Sequence, residues 1–276
     1  MEQPEQHDHD RGLAFDLATL SRRRTLALLG GGALALLVGC GSDDGDDAAA
    51  STTSTTGNSS SSRAAAGECS PIPEETAGPF PGDGSNGPDV LAEDGIVRRD
   101  IRSSFGSSST TAEGVPLAIA LRLTDSSGGC AARPGAAVYV WHCDRDGGYS
   151  MYSDGVEGEN YLRGVQEADG DGLVRFTSIF PGAYPGRWPH VHFEVHEGLD
   201  AAVSGGTPMA TSQIALPEDA CRAAYATSGY EASAGQLDRT SLTSDMVFGD
   251  DGGVRQLGTV TGSADAGFTV ELAVPV

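Results

Sequence analysis

Two histidines separated by one residue stand in the run His190-Val-His-Phe-Glu-Val195. In a β-strand residues i and i+2 share a face, so both imidazoles project together, about 7 Å apart at the backbone. Val191, Phe193 and Val195 project the other way, toward a core. Two imidazoles so placed can converge on one metal ion. A bare His-x-His is more often a packed or solvated pair, so its surroundings carry the argument. Pro181, Pro185 and Pro189 stiffen the approach to the strand and hold Tyr184 and Arg187 between them. Upstream, a β-branched and aromatic run ending at Trp141 leads into Asp144-Arg-Asp-Gly-Gly-Tyr149, a glycine turn that presents Tyr149.

The elements that must position these groups read as β. Leu117, Ile119, Leu121 and Leu123 alternate onto one face. Residues 137–142 are apolar on both faces, as in a central strand. Residues 173–180, 190–195 and 268–276 are further strands, separated by Gly/Asp turns such as Asp169-Gly-Asp-Gly172. One short helix is predicted over 218–226, after Pro217. The fold class expected is all-β, a β-sandwich with few short helices. Asp144-Arg-Asp-Gly147 mimics a calcium loop, but its twelfth position is Gly155, where a bidentate Glu is needed.

These residues resemble the intradiol ring-cleavage (catechol/protocatechuate) dioxygenases. The resemblance is carried by Val138-Tyr-Val-Trp141, Gly147-Gly-Tyr149, Asp171-Gly-Leu-Val-Arg-Phe-Thr-Ser-Ile179, Pro181-Gly-Ala-Tyr184 and the segment from Arg187 to His192. An opening Glu74-Glu-Thr-Ala-Gly-Pro-Phe80 is a further family feature. The core of the resemblance covers residues 134–195 and extends patchily over 71–276. Within the family it is closer to an exported bacterial lipoprotein branch.

The resemblance implies a mononuclear Fe(III) held by Tyr149, Tyr184, His190 and His192, cleaving a catechol-type ring with O2 between its hydroxyl-bearing carbons to a cis,cis-muconate-type diacid. Phenolate is a hard donor suited to a trivalent ion, whereas Zn sites favour Cys, His and carboxylates. By the same resemblance Tyr184 leaves the metal and takes up a substrate proton, Arg187 stabilises developing negative charge, and Gln213 supports the site from behind. Tyr152 is the competitor for the role of Tyr149. Tyr139 and Tyr161 read as core or rim, and His142 as structural. His196 falls outside the pair if the strand ends at Val195. Trp188 is either pocket floor or core. No basic cluster announces a carboxylated substrate, although Arg145 or Arg163 would be the residues to serve one.

The first quarter of the chain reads differently. Arg22, Arg23 and Arg24 precede a 14-residue apolar stretch from Thr25 to Val38, the length of a signal-peptide core and too short to span a membrane. The arginines resemble a twin-arginine signal, and Leu37-Val-Gly-Cys40 a lipobox that leaves Cys40 lipidated. Residues 1–39 are therefore expected to be a signal peptide, 40–68 a Ser/Thr/Gly/Asp linker, and 69–276 the sandwich domain, exported and anchored at the membrane surface by lipid on Cys40 alone.

There are 39 acidic residues and 17 arginines without a lysine, for a formal charge of −22. That excess excludes a nucleic-acid partner. With Cys40 set aside, four cysteines remain, allowing three pairings; 69–130 with 143–221 is the preferred one. Oligomeric state stays open. Two rival readings are a catalytically inactive sandwich binding a small ligand or partner, and a metallohydrolase using the same histidines. A visible tyrosinate-to-iron absorption separates them from the dioxygenase.

Overall fold

The computed structural model describes residues 69–276. The expected signal peptide, Cys40 and the linker lie outside the described residues. Two sheets face one another. The first centres on β1 (Pro116–Asp125), which pairs antiparallel with β5 (Leu173–Ile179) and with the two-residue β2 (Ala131–Ala132), and parallel with β9 (Gly267–Pro275); β8 (Thr259–Ser263) completes it beside β9. The second has the antiparallel order β4–β3–β6–β7, made of Arg163–Glu167, Ala137–Trp141, His190–His196 and Ala210–Ala215.

Alternation builds the core between them. Leu117, Ile119, Leu121 and Leu123 meet Phe268, Val270 and Val274 from their own sheet, and Val138, Val140, Val191, Phe193 and Val195 from the other. Because odd positions of β6 fill this core, its even positions lie on the opposite, outer face. That face is not left to solvent: every residue of β6 is buried. A second apolar cluster, with Val90, Leu91 and Ile96 from the N-terminal segment packed on Tyr139, Trp141 and Tyr149, roofs it.

Helices are short: α1 (Leu199–Val203), α2 (Glu218–Tyr225) and α3 (Glu231–Leu237), with a 3-10 turn at Phe248–Asp250. None of the described helices is long and apolar enough to cross a membrane. α2 is the helix expected over 218–226, and α1 and α3 are additions to the expected one. β4 and β7 were not legible as strands, because Arg-Gly-Val-Gln-Glu and Ala-Thr-Ser-Gln-Ile-Ala carry polar residues where an exposed loop would. β6 runs one residue further than expected, so His196 is in phase with His190 and His192. It still sits about 13 Å along the strand from His192.

Cys69 and Cys130 form a disulfide, as preferred, but the 143–221 pair does not form: both thiols are free and buried. Cys143, two residues past β3, turns its thiol to the Gly182 carbonyl, whereas Cys221 in α2 turns its own to the Leu216 carbonyl just before that helix.

Candidate metal centre

On the outer face of β6 the two imidazoles converge, with His190 Nε2 and His192 Nε2 3.1 Å apart. Tyr184 Oη lies 3.1 Å from His190 Nε2. Tyr149 Oη lies 3.3 Å from Tyr184 Oη. Residues from three separate stretches thus place four donor atoms around one point. Their turns explain how. Gly147 has φ +88°, and a Cβ there would lie 3.2 Å from the Tyr184 Cβ, so only glycine lets the two tyrosine segments pack this closely. Gly78, at φ +72°, lies over His192, where a Cβ would come within 3.3 Å of the ring.

The two phenol hydroxyls can donate along this cluster, one to the other and on to His190. His190 Nδ1 is held by the Trp188 carbonyl, which requires its N–H there and leaves Nε2 with a bare lone pair. Burial, with Arg187 adding, pushes the His190 pKa well below the ordinary value. Burial, His190 and Arg187 do the same for His192. Both rings are therefore neutral. His192 Nδ1 is buried with no partner among the described residues. Burial, with Tyr184 adding, pushes the Tyr149 phenol well up. A cation that displaced the two phenol protons would meet four donor atoms here. Neighbouring donors 3.1 to 3.3 Å apart are the edge lengths of a coordination shell with ligands about 2 Å from its centre. The donor set fits a hard ion that also accepts imidazole. Among the described residues no group of three or more His, Cys, Asp or Glu side chains could hold a metal; half of the donors here are phenols.

Arg187 is buried beside this cluster. Its Nη2 donates to Gln213 Oε1 at 2.6 Å and its Nε to Asp245 Oδ2 at 3.0 Å. Burial works against its charge, but Tyr184 and the Asp245 carboxylate outweigh that and hold the guanidinium above its ordinary pKa. Gln213 stands across the sheet from His192 and donates to the Thr76 carbonyl at 3.0 Å. All six residues picked from sequence for this site are therefore in one neighbourhood.

The other candidates are elsewhere. Tyr152 Oη bonds Asn86 and the Gly82 amide, away from Tyr184. His142 is buried against Ser178, and Trp188 packs in the core with its indole N–H on the Leu216 carbonyl. Arg163 is buried and donates to the Pro81 carbonyl, Tyr139 Oη, Ser150 Oγ and the Ser150 carbonyl. Arg145 pairs with Glu113 at 2.9 Å. Neither arginine is held in reserve for a substrate carboxylate. Sequence reasoning missed Asp245 and Arg163 as supports of the site. Asp245 carried no local signal, while a buried arginine next to a strand glycine is a faint one.

Comparison with known proteins places this architecture. A family model described as "Dioxygenase" matches residues 87–201. An intradiol ring-cleavage dioxygenase from Tetranychus urticae superposes with a TM-score of 0.60 at 26% identity, over 75% of this chain and 94% of that one. The described fold is thus similar to that of intradiol ring-cleavage dioxygenases, with a family-model match over the segment that carries Tyr149, Tyr184, His190 and His192. A catechol 1,2-dioxygenase of Pseudomonas sp. strain EST1001 is 41% identical over 51 residues, which is 18% of this chain and only 17% of that enzyme's length.

Proposed function

We propose that this protein is an Fe(III)-dependent intradiol dioxygenase that opens catechol-type rings with O2 to a cis,cis-muconate-type diacid. One observation carries the reading: Tyr149 Oη, Tyr184 Oη, His190 Nε2 and His192 Nε2 follow one another at 3.1 to 3.3 Å on the roofed face of β6. Tyr149, Tyr184, His190 and His192 would hold the ion, which when bound supplies Lewis acidity and a template for both oxygens of a catechol.

The chain's own residues do the rest. Tyr184 is the half-buried member of the set, so its Oη is the phenol oxygen that would receive a substrate hydroxyl proton. Arg187 faces negative charge that develops on the ring, preorganised by Gln213 and Asp245 rather than recruited from solvent. The segment carrying Gly78 and Phe80 covers His192 and Tyr149 and keeps water from them. With Arg145 and Arg163 engaged internally, the reading favours uncharged catechols, including larger plant-derived ones, over carboxylated ones.

The test is ferric reconstitution followed by oxygen uptake on a catechol panel. A coloured protein with a visible tyrosinate band and stoichiometric O2 consumption supports the reading. A colourless protein that resists ferric loading sinks it. Activity on protocatechuate with none on larger catechols would refute the substrate preference. The proposal extends to location: residues 1–39 direct export and Cys40 carries the lipid. Release of a Cys40→Ala variant from the membrane fraction is the expected result, and unchanged membrane retention would refute it.

A further inference from the structure

We infer that Asp245 is a positioning residue of the dioxygenase site, acting on Arg187 and on His190 through the Trp188 backbone. The inference rests on the dioxygenase reading and adds a residue from outside the matched segment 87–201. Asp245 has no side-chain exposure, an unusual place for a carboxylate without a purpose for its charge. Its Oδ2 accepts from Arg187 Nε at 3.0 Å and from the Trp188 amide at 2.6 Å. Its Oδ1 accepts from the Val247 and Phe248 amides at 2.8 and 3.0 Å.

Three of these four bonds, those to Arg187, Trp188 and Phe248, lead toward the candidate metal centre. Arg187 is fixed from two sides, by Asp245 at Nε and by Gln213 at Nη2, and Nη1 makes no hydrogen bond among the described residues. Two restraints on a planar fork fix its orientation, so Nη1 is presented in one direction. The Trp188 amide is held by Asp245 while the Trp188 carbonyl holds His190 Nδ1, so the same carboxylate fixes the peptide that orients the ligand ring. Phe248, whose amide Asp245 caps, lies with its ring 6.4 Å from that of His190. A turn cap alone would explain the Val247 and Phe248 bonds, but not an ion pair buried on both sides.

Those two roles are separable. In Asp245→Ser the hydroxyl can still cap the turn amides, while the carboxylate is lost to Arg187. The full chain, reconstituted with ferric iron, is compared as wild type, Asp245→Ser, Arg187→Gln and the double variant. Binding of 4-nitrocatechol is read from the visible spectrum, with kcat and KM for catechol alongside. The expected result is a tyrosinate band that persists in Asp245→Ser. 4-Nitrocatechol binding should weaken about tenfold or more, and kcat should fall on the order of 10²-fold with a smaller change in KM. The double variant should lose less than the sum of the two single losses, since both singles remove the Asp245–Arg187 interaction while only Asp245→Ser also releases the Trp188 peptide. Additive losses, or unchanged binding and kcat in folded Asp245→Ser, overturn the proposal. Should serine not fold, Asp245→Asn is measured the same way; failure of both to fold also overturns it, because the residue is then structural. A wild type that takes up no ferric iron overturns the dioxygenase reading itself, whereas a coloured wild type with additive losses overturns only the role of Asp245.

Discussion

Tyr149 and Tyr152 show how much a single residue's placement decides. Both are tyrosines of one turn, yet one phenol meets Tyr184 and the other meets Asn86. Tyr149→Phe should therefore weaken and shift the visible ferric band, which Tyr184 alone would then supply, and lower kcat by at least about 10²-fold, because one anionic donor is lost. Tyr152→Phe should leave that band in place; absorption spectra of the two loaded variants check this. Glu75 gives a second prediction. Burial raises its carboxyl from 4.5 to about 7; a Gln256 hydrogen bond opposes this, and Asp250 and Asp251 add to it. A folded pKa above the unfolded one means that the native state binds the proton more tightly, so this group's contribution to stability falls as pH rises from about 4.5 to about 7. Glu75→Gln should remove that fall. Urea midpoints at pH 5 and pH 8 should differ less in the variant than in the wild type, and an equal difference would exclude the mechanism.

Elements, rather than residues, bring the donors together. β6 supplies both histidines from one face because its side chains alternate, and the turn at Gly147 brings Tyr149 against the Tyr184 segment. Arg163 on β4 ties these parts to the covering strap, since it donates at once to Pro81 in the strap and to Ser150 beside Tyr149. It does so with neutral acceptors only. Arg163→Met should leave those buried acceptors unpaired and cost about 3 kcal/mol or more, measurable as a lowered urea midpoint. A loss below ~1 kcal/mol would mean that water replaces the guanidinium. The strand pattern, the turn at Gly147 and the His-x-His face were readable locally. β4 and β7 were not, because polar Arg163 on β4 and polar Thr211 and Gln213 on β7 are buried, a burial no local pattern announces.

At the scale of the whole molecule, one covalent tie joins the start of the described chain to the first sheet. The Cys69–Cys130 disulfide spans 61 residues of sequence. Closing a loop of that length restricts the unfolded chain by about 4 kcal/mol in the loop-entropy account. Cys130→Ser should lose up to that amount. Cys143→Ser and Cys221→Ser act instead through buried thiols, so thiol labelling in denaturant should count two of these four residues as free. A count of none would restore the pairing expected from sequence.

The sequence by itself determined the sandwich class, the shared face of His190 and His192, and the candidacy of Tyr149, Tyr184, Arg187 and Gln213. Those features depend on period-two alternation, glycine and proline chemistry and motif order, all of which act over a few residues. Only the tertiary structure decided that the histidine face is roofed, that Tyr149 rather than Tyr152 meets Tyr184, that Cys143 and Cys221 stay apart, and that Asp245 reaches Arg187 across 58 residues of chain. Contacts at such separations are set by how the two sheets and their covering segments pack, and no local pattern encodes that distance.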